Sequence, residues 1–376
     1  MPCHAMLCYL EYLCVNTRRC DDMLGGAYTE GSNTGPFELY NGNHVAAHGV
    51  VVVSCNYRLG ALGALVHDGG LKGNQGLLDQ RQCLKWVQQE VKHFGGDPSQ
   101  VTAWGQSAGA QSVWLHMATE GSAGLFHRAV LESAPDLSLL PAKDQAHLGN
   151  EVAKKLGCTN KTAADIVACM KAADVQAVCK AASDAEGDWL TVVEALDLPH
   201  ITGSFLPFKP HVDGEDIKEQ PFQTLLDGRA PGGVPTLLGF THDEMWALMP
   251  SLPKWVKGLA IDTLVTLLFG LKTGPKAWKH YKGMYPGDDD SALAKLLTDY
   301  LFTCAGQAAA LALPAPSYVY AYNHFDSFAP SLCAKFGLPE CAIDGRVCHM
   351  AELPLFWNQS GPASLNCSLS PTEQQM

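Results

Sequence analysis

The chain has 376 residues and carries 26 basic side chains against 38 acidic ones, so its formal net charge at neutral pH is −12. This acidic balance argues against nucleic-acid binding and against charge-driven binding to acidic membranes, since both need a basic surface. Hydrophobic residues make up 47% of the chain and charged residues 17%, which is typical of a folded globular protein and excludes disorder as the main state.

The predicted elements begin after a cysteine-rich segment, residues 1–23, in which no periodic pattern predicts a helix or a strand. A run of valines at 50–54 predicts a buried strand. Apolar residues at helical spacing between 77 and 94 predict a helix, and a Gly-Gly-Asp-Pro sequence follows it as a stop signal. Residues 101–104 predict a short strand that leads directly into a glycine, and residues 107–117 predict the next helix.

The second half of the chain continues this alternation, with strands predicted at 127–131, 234–239 and 317–322 and a helical stretch at about 254–306. Between about 140 and 230, helical pieces are joined by irregular segments, which we interpret as a helical cap inserted into the sheet. Short apolar strands separated by helices predict an α/β fold, with a mostly parallel sheet that is covered by helices on both faces.

One serine stands out because of its context. It belongs to the motif Gly105-Gln106-Ser107-Ala108-Gly109, with a predicted strand before it and a predicted helix after it. At such a turn the Ser107 hydroxyl projects above the carboxyl edge of the sheet, and the helix N-terminus favours developing negative charge. Most isolated matches to this motif are ordinary loops, but the flanking strand and helix favour a nucleophile here. The N–H of Ala108 and an upstream glycine loop, Gly25-Gly26-Ala27, are candidate donors to an oxyanion.

A series of motifs around this serine resembles the type-B carboxylesterases, the family of cholinesterases and liver esterases. In chain order they are Asn56-Tyr57-Arg58-Leu59-Gly60, Gly73-Asn74-Gln75-Gly76-Leu77-Leu78-Asp79-Gln80, Lys85-Trp86-Val87, Phe94-Gly95-Gly96-Asp97-Pro98 and the Ser107 motif. The resemblance runs from about residue 25 to the end of the chain. It implies a single α/β-hydrolase domain over residues 25–376, with residues 1–24 matching the family poorly.

The resemblance implies a catalytic triad in the order serine, acid, histidine. The sequence 239–244 resembles the family's acid loop and assigns the acid to Glu244. The sequence 345–354 resembles the family's histidine loop and assigns the base to His349. The rival candidates are Asp243 for the acid, and His324 and His242 for the base.

The roles implied by the resemblance are those of a serine esterase. Ser107 attacks the ester carbonyl, His349 takes its proton and returns it to the leaving alcohol, and Glu244 orients the histidine. The implied oxyanion donors are the backbone N–H groups of Gly26, Ala27 and Ala108. Two positions depart from family glycines: Ala27 stands in the oxyanion loop, and Met350 follows the histidine.

We therefore expect serine-dependent hydrolysis of small-molecule carboxylic esters through an acyl-enzyme, without a metal or other cofactor. Gln106 replaces a glutamate that many relatives carry, which weakens the case for a cationic, choline-like substrate. The alternatives are a catalytically silent adhesion or binding domain and an inactive truncated fragment. The sequence does not predict the oligomeric state.

Cysteine content and glycosylation sequons favour a secretory location. The chain has 14 cysteines and three Asn-x-Ser/Thr sequons, at Asn160, Asn358 and Asn366. The family resemblance implies a disulfide between Cys158 and Cys169. The N-terminus does not resemble a signal peptide, which keeps a cytoplasmic location as the alternative. The most apolar run, 259–270, is too short to span a bilayer, so no transmembrane segment is predicted.

The ends of the chain differ from a full-length relative. The basic and acidic residues at 18–22 do not form an apolar strand before the glycine loop, and no closing helix follows residue 375. We therefore expect a partial family member, with poorly packed residues 1–23, an open sheet edge near the Gly25-Gly26 loop and marginal stability.

Overall fold

The computed structural model describes the chain except at residues 1–4, 10–25, 30, 34–39, 137, 160–161, 194–201, 203–205, 207, 232, 253–258, 344, 358–369, 371 and 374–376. Gly25 of the predicted oxyanion loop and the three sequon asparagines lie outside the described residues.

The described strands are β1 (Ala5–Tyr9), β2 (Val50–Ser54), β3 (Val66–His67), β4 (Leu71–Lys72), β5 (Val101–Gln106), β6 (Arg128–Glu132), β7 (Thr236–Thr241) and β8 (Ser317–Tyr322). The described α-helices are α1 (Asn43–Ala46), α2 (Gly60–Ala64), α3 (Gln75–Glu90), α4 (Ala108–Ala118), α5 (Ala142–Lys155), α6 (Ala163–Ala172), α7 (Val175–Val193), α8 (Pro221–Leu226), α9 (Glu244–Leu248), α10 (Ile261–Met284), α11 (Asp289–Thr298), α12 (Cys304–Ala312), α13 (Ala329–Lys335) and α14 (Leu353–Phe356). A π-helical turn, Asp299–Thr303, joins α11 to α12.

The main sheet is parallel throughout its described strands, in the order β2-β1-β5-β6-β7-β8. β3 and β4 form a separate antiparallel pair. The register aligns Gln106 of β5 with Glu132 of β6, and Glu132 with Gly239 of β7. Because the carboxyl ends of parallel strands meet at one edge of the sheet, the residues that follow these strands are brought together there. The predicted mostly parallel sheet is confirmed.

Alternate residues of the central strands enter different hydrophobic clusters, as expected for a sheet covered on both faces. Ala103 of β5 packs in a cluster with α3, α4 and α12. Its neighbour Trp104 packs in another cluster, where its ring stacks on Trp357 with the centroids 4.9 Å apart. Because both faces of these central strands are covered, the strands contain few polar residues.

The cap predicted between about 140 and 230 contains α5, α6 and α7, which pack through small and aliphatic side chains such as Leu148 and Ala185. A disulfide joins Cys158, after α5, to Cys169 of α6. Further helices, α10 and α11, cover Phe240 at the end of β7. Among the residues that the structure describes, no helix has the length and hydrophobicity needed to cross a bilayer.

Strand β1 lies in the segment for which the sequence analysis predicts no element. It pairs with β2 on one side and with β5 on the other, so it is an interior strand of the sheet. Its residues, Ala5-Met6-Leu7-Cys8-Tyr9, form a continuous apolar run once cysteine is counted as apolar. The run is short and is followed by Glu11 and by the charged residues at 18–22, so no periodic pattern in this segment predicts the strand.

Candidate active site

Ser107 occupies a sharp turn between β5 and α4. Its backbone has φ 56° and ψ −120°, a strained conformation for a residue with a Cβ. Strand β5 and helix α4 come very close at this turn, and only a glycine at position 105 allows it. A Cβ added to Gly105 would lie 2.3 Å from the carbonyl carbon of Gly109. The Ser107 N–H donates to the Glu132 carbonyl at 2.8 Å, which ties the turn to β6. This is the geometry of a nucleophile elbow.

Glu244 is the first residue of α9 and its side chain is fully buried. One carboxylate oxygen accepts the Thr241 N–H at 2.8 Å, and the other lies 2.5 Å from His349 Nδ1. The rival acid, Asp243, has different partners, since it accepts the Val347 N–H at 2.9 Å. The structure therefore brings Glu244, and not Asp243, onto the imidazole of His349.

His349 lies in the loop before α14, with its ring buried between the acid loop and the end of β5. Its contact with Glu244 makes Nδ1 the protonated nitrogen of the neutral ring, which leaves Nε2 as an acceptor. Gln106 Nε2 lies 3.1 Å from this Nε2 atom. Among the described residues, the ring thus contacts the neighbour of Ser107, and no hydrogen bond joins it to the Ser107 hydroxyl. Met350, which follows, has φ 74°.

The two other candidate histidines have partners elsewhere in the described structure. His242 Nδ1 lies 3.0 Å from Asp243, and its side chain is about half exposed. His324 Nε2 lies 3.1 Å from Glu373 Oε1. With Asp326, this pair forms the one group among the described residues that could hold a metal ion, with ligand atoms within 4.8 Å of one another. Pairing of the imidazole with the carboxylates accounts for these contacts, and we assign no metal.

The glycine loop lies against the N-terminus of α4. Gly26, Ala27 and Tyr28 all have positive φ, at 35°, 38° and 64°. Tyr28 is buried in a cluster with Tyr57 and Ala108, the residue after the nucleophile. Its carbonyl accepts the N–H of Gly60 at 2.6 Å. Ala27 therefore adopts a left-handed conformation of the kind that favours glycine, and the loop lies next to Ala108.

The sequence analysis does not single out two buried acids near Glu244. Glu132, at the end of β6, is fully buried and accepts a hydrogen bond from the Tyr320 hydroxyl at 3.4 Å. Burial raises the pKa of Glu132 to about 8, against the opposing effect of hydrogen bonds from Trp104 and Tyr320. Burial, reinforced by the charges of Glu132 and Glu244, holds the pKa of Glu352 well above its usual range. Only their positions in the sequence could have pointed to them. Glu132 ends the strand next to the one that leads to Ser107, and Glu352 lies three residues after His349.

Three disulfides join described cysteines. Cys158 pairs with Cys169, as the family resemblance implied, and the others are Cys55–Cys83 and Cys341–Cys348. Cys333 in α13 is a free cysteine. The Cys341–Cys348 bridge matters for the site because Cys348 directly precedes His349.

Comparison with known proteins identifies the family of the chain. The sequence matches the carboxylesterase family over residues 23–376. It is 36% identical to "Crystal protein" of Dictyostelium discoideum over 360 residues, which cover 93% of this chain and 60% of that protein. It is 32% identical to "Cholinesterase 2" of Branchiostoma lanceolatum, over 81% of this chain and 93% of the relative. It is also 30% identical to "Para-nitrobenzyl esterase" of Bacillus subtilis (strain 168), over 90% and 63%.

The chain spans about 60% of the length of the two Dictyostelium discoideum relatives that it matches, "Crystal protein" and "cAMP-regulated D2 protein". The family match nevertheless covers nearly the whole of this chain and includes the elbow, the acid loop and the histidine loop. The chain belongs to the carboxylesterase family and has the α/β-hydrolase fold.

Proposed function

We propose that the protein hydrolyses carboxylic esters through an acyl-enzyme formed on Ser107, with His349 as the general base and Glu244 as its acid partner. The observation that carries this proposal is the buried contact between His349 Nδ1 and Glu244 at 2.5 Å, with the other ring nitrogen beside the elbow that bears Ser107. Membership of a family that hydrolyses esters supports the same reaction class.

In the proposed mechanism His349 Nε2 takes the proton of the Ser107 hydroxyl as the oxygen attacks the ester carbonyl. Glu244 then stabilises the imidazolium, and the proton goes to the leaving alcohol when the tetrahedral intermediate collapses. A water molecule repeats the sequence on the acyl-enzyme. Because the Gln106 amide contacts Nε2 in the resting arrangement, it has to yield this atom to the serine hydroxyl.

The negative oxygen of the tetrahedral intermediate needs donors that are oriented before the reaction. We assign this role to the N–H groups of Gly26, Ala27 and Ala108. Among the described residues none of these three groups donates a hydrogen bond, which leaves them available for a ligand. The N-terminus of α4 adds a favourable dipole at the same place.

The proposed substrates are uncharged small-molecule esters. Gln106 puts a neutral amide where many relatives carry a carboxylate, so the site lacks one attraction for a cationic alcohol. We also infer a secretory or extracellular location. The three disulfides support it, because such bonds persist in oxidising compartments.

The test combines p-nitrophenyl acetate hydrolysis with labelling by a fluorophosphonate. We expect Ser107→Ala to abolish labelling and to lower kcat at least about a thousandfold, since triad members act as a unit. Glu244→Gln should lower kcat by about a hundredfold or more. Ser99→Ala, which removes an exposed hydroxyl, is the control and should label normally.

The contact between Gln106 and His349 also favours a second reading, a silent binding domain in which the base is held away from the serine. A folded wild-type protein that neither hydrolyses the ester nor takes up the label would establish this reading and contradict the esterase proposal.

A further inference from the structure

The loop that carries the acid and the loop that carries the base are joined directly by Asp243. Its N–H donates to the Val347 carbonyl at 2.9 Å, and its side chain accepts the Val347 N–H, also at 2.9 Å. Asp243 and Cys348 form an isolated parallel bridge. Asp243 directly precedes Glu244, and Cys348 directly precedes His349. The backbone neighbours of the two catalytic side chains are therefore held to each other.

A disulfide fixes the same loop from the other side. Cys341 and Cys348 close a loop with a sequence separation of seven, and both are buried. Within this loop Arg346 stacks on the ring of Trp246, 3.7 Å from its centroid, so the loop also rests on α9. Cys348, the residue before His349, is thus held by the disulfide and by the backbone bridge to Asp243, and its loop packs on Trp246.

The residue after His349 explains why such anchoring is needed. Met350 has φ 74°, which a side chain with a Cβ adopts only when the surroundings hold it there. If Cys348 were released, the backbone at 349–350 could relax to an ordinary conformation. The imidazole would then swing away from Glu244, and a misplacement of about 1 Å can cost a hundredfold in rate.

We propose that Asp243 and the Cys341–Cys348 disulfide are positioning residues that hold His349 against Glu244. This inference rests on the proposed function, because it assigns them to the same triad. Asp243 does so through the acceptor oxygen that it offers to Val347, and the disulfide does so through the backbone of Cys348.

The kinetic test compares Asp243→Ala and the double variant Cys341→Ser/Cys348→Ser with the wild type. We expect kcat to fall about ten- to a hundredfold in each with KM unchanged, because substrate contacts remain while the base is misplaced. Asp243→Asn retains an acceptor oxygen for the Val347 N–H and should therefore keep most of the wild-type kcat.

The matched controls are Asp97→Ala, which removes a turn-capping carboxylate, and Cys158→Ser/Cys169→Ser, which opens the cap disulfide. Both controls should keep kcat within about twofold, well short of that loss.

A second readout does not depend on turnover. The His349 Nδ1 proton, in a hydrogen bond of 2.5 Å, should give a downfield proton NMR signal that is absent in His349→Gln. We expect this signal to be lost or strongly shifted in Asp243→Ala and in Cys341→Ser/Cys348→Ser, and retained in the controls. An unchanged signal in folded forms of both variants would overturn the inference. A wild type without activity, whose signal still depends on Asp243, would contradict the proposed function alone.

Discussion

At the scale of single residues, backbone strain is concentrated at the candidate site. Six non-glycine residues of the described chain have positive φ. Four of them lie in the elbow, in the histidine loop, or in the glycine loop and the residue that follows it: Ser107, Met350, Ala27 and Tyr28. Each such conformation costs of order 1 kcal/mol and persists only where packing enforces it. The strain is thus located in the segments to which the proposed mechanism assigns the nucleophile, the oxyanion donors and the base.

The same residues show what a sequence can predict about a site. The elbow and the two loops follow from motifs, because each motif encodes a local backbone shape. Ala27 and Met350 depart from the family glycines, yet their φ values of 38° and 74° show that the glycine-like shape is kept. Glu132 and Glu352 could not be predicted, because their meeting beside Glu244 depends on strand register and on burial, which no local motif records.

The buried carboxyl group of Glu132 leads to a prediction about pH. Its pKa is raised to about 8, so the proton it binds in the folded state stabilises the fold below its ordinary pKa of 4.5. This contribution is lost as the pH rises through 8, at up to about 1.4 kcal/mol per pH unit for one proton. Glu132→Gln has no proton to lose. We therefore expect the wild type to lose free energy of unfolding relative to Glu132→Gln as the pH rises from 5 to 8.

The measurement is thermal or urea unfolding of both proteins across that range. Lys209 is a second buried group, whose pKa is lowered to about 7 by burial, and its effect has the opposite sign. Lys209 is present in both proteins, so its contribution cancels in the difference between their free energies of unfolding at each pH. Glu120→Gln, at an exposed position paired with Lys218, is the control and should follow the wild-type profile. Identical pH profiles for the wild type and Glu132→Gln would mean that Glu132 does not hold a proton.

At the scale of elements, the sequence predicts most of the sheet because its strands are short apolar runs between helices. β2, β5, β6, β7 and β8 all lie within a few residues of their predicted positions. β1 is the exception: its own residues form an apolar run like the others, but no periodic pattern marks the cysteine-rich segment that contains it. The single helical stretch predicted at 254–306 is divided in the structure, since Gly270 with φ 76° interrupts α10 and a π-helical turn separates α11 from α12.

The close packing of β5 against α4 predicts that Gly105 cannot be replaced. A Cβ there would lie 2.3 Å from the Gly109 carbonyl carbon and 2.6 Å from the Ala110 nitrogen, and backbone atoms cannot move aside. We expect Gly105→Ala to be insoluble or to lose several kcal/mol of stability, since overpacking against a rigid element costs about 1–3 kcal/mol or more.

The control is Gly306→Ala in α12. An added Cβ there meets a neighbour only at 3.9 Å, from Phe240. Because alanine is favoured over glycine inside a helix, this variant should be neutral or more stable by up to about 1 kcal/mol. Chemical unfolding of both variants checks the pair of expectations. Wild-type stability in Gly105→Ala would show that strand and helix can separate at the elbow.

At the scale of the whole molecule, the edge strands of the main sheet are the places where a second chain could pair with it. Among the described strands β2 and β8 lie at the two edges. β8 exposes two large apolar side chains, Tyr318 at 67% and Val319 at 42%. Unpaired backbone groups beside exposed apolar side chains are a template for pairing with a second chain, and natural proteins protect such edges with charge. The acidic net charge of −12 opposes association over the whole surface, but it provides no charged residue within β8 itself.

We therefore predict that Tyr318→Lys lowers self-association without changing the fold. A lysine at this position keeps its charge in water and disfavours edge-to-edge pairing, while the pairing of β8 with β7 stays intact because it runs through the backbone. Sedimentation velocity and light scattering at increasing concentration should show fewer oligomers than in the wild type, with the melting temperature unchanged within about 2 °C. Leu271→Lys is the matched control, because Leu271 is 87% exposed but lies on α10 and not in a strand. If both lysine variants reduce association equally, the effect arises from net charge and hydrophobicity, and the edge of β8 is not the contact through which the chain associates.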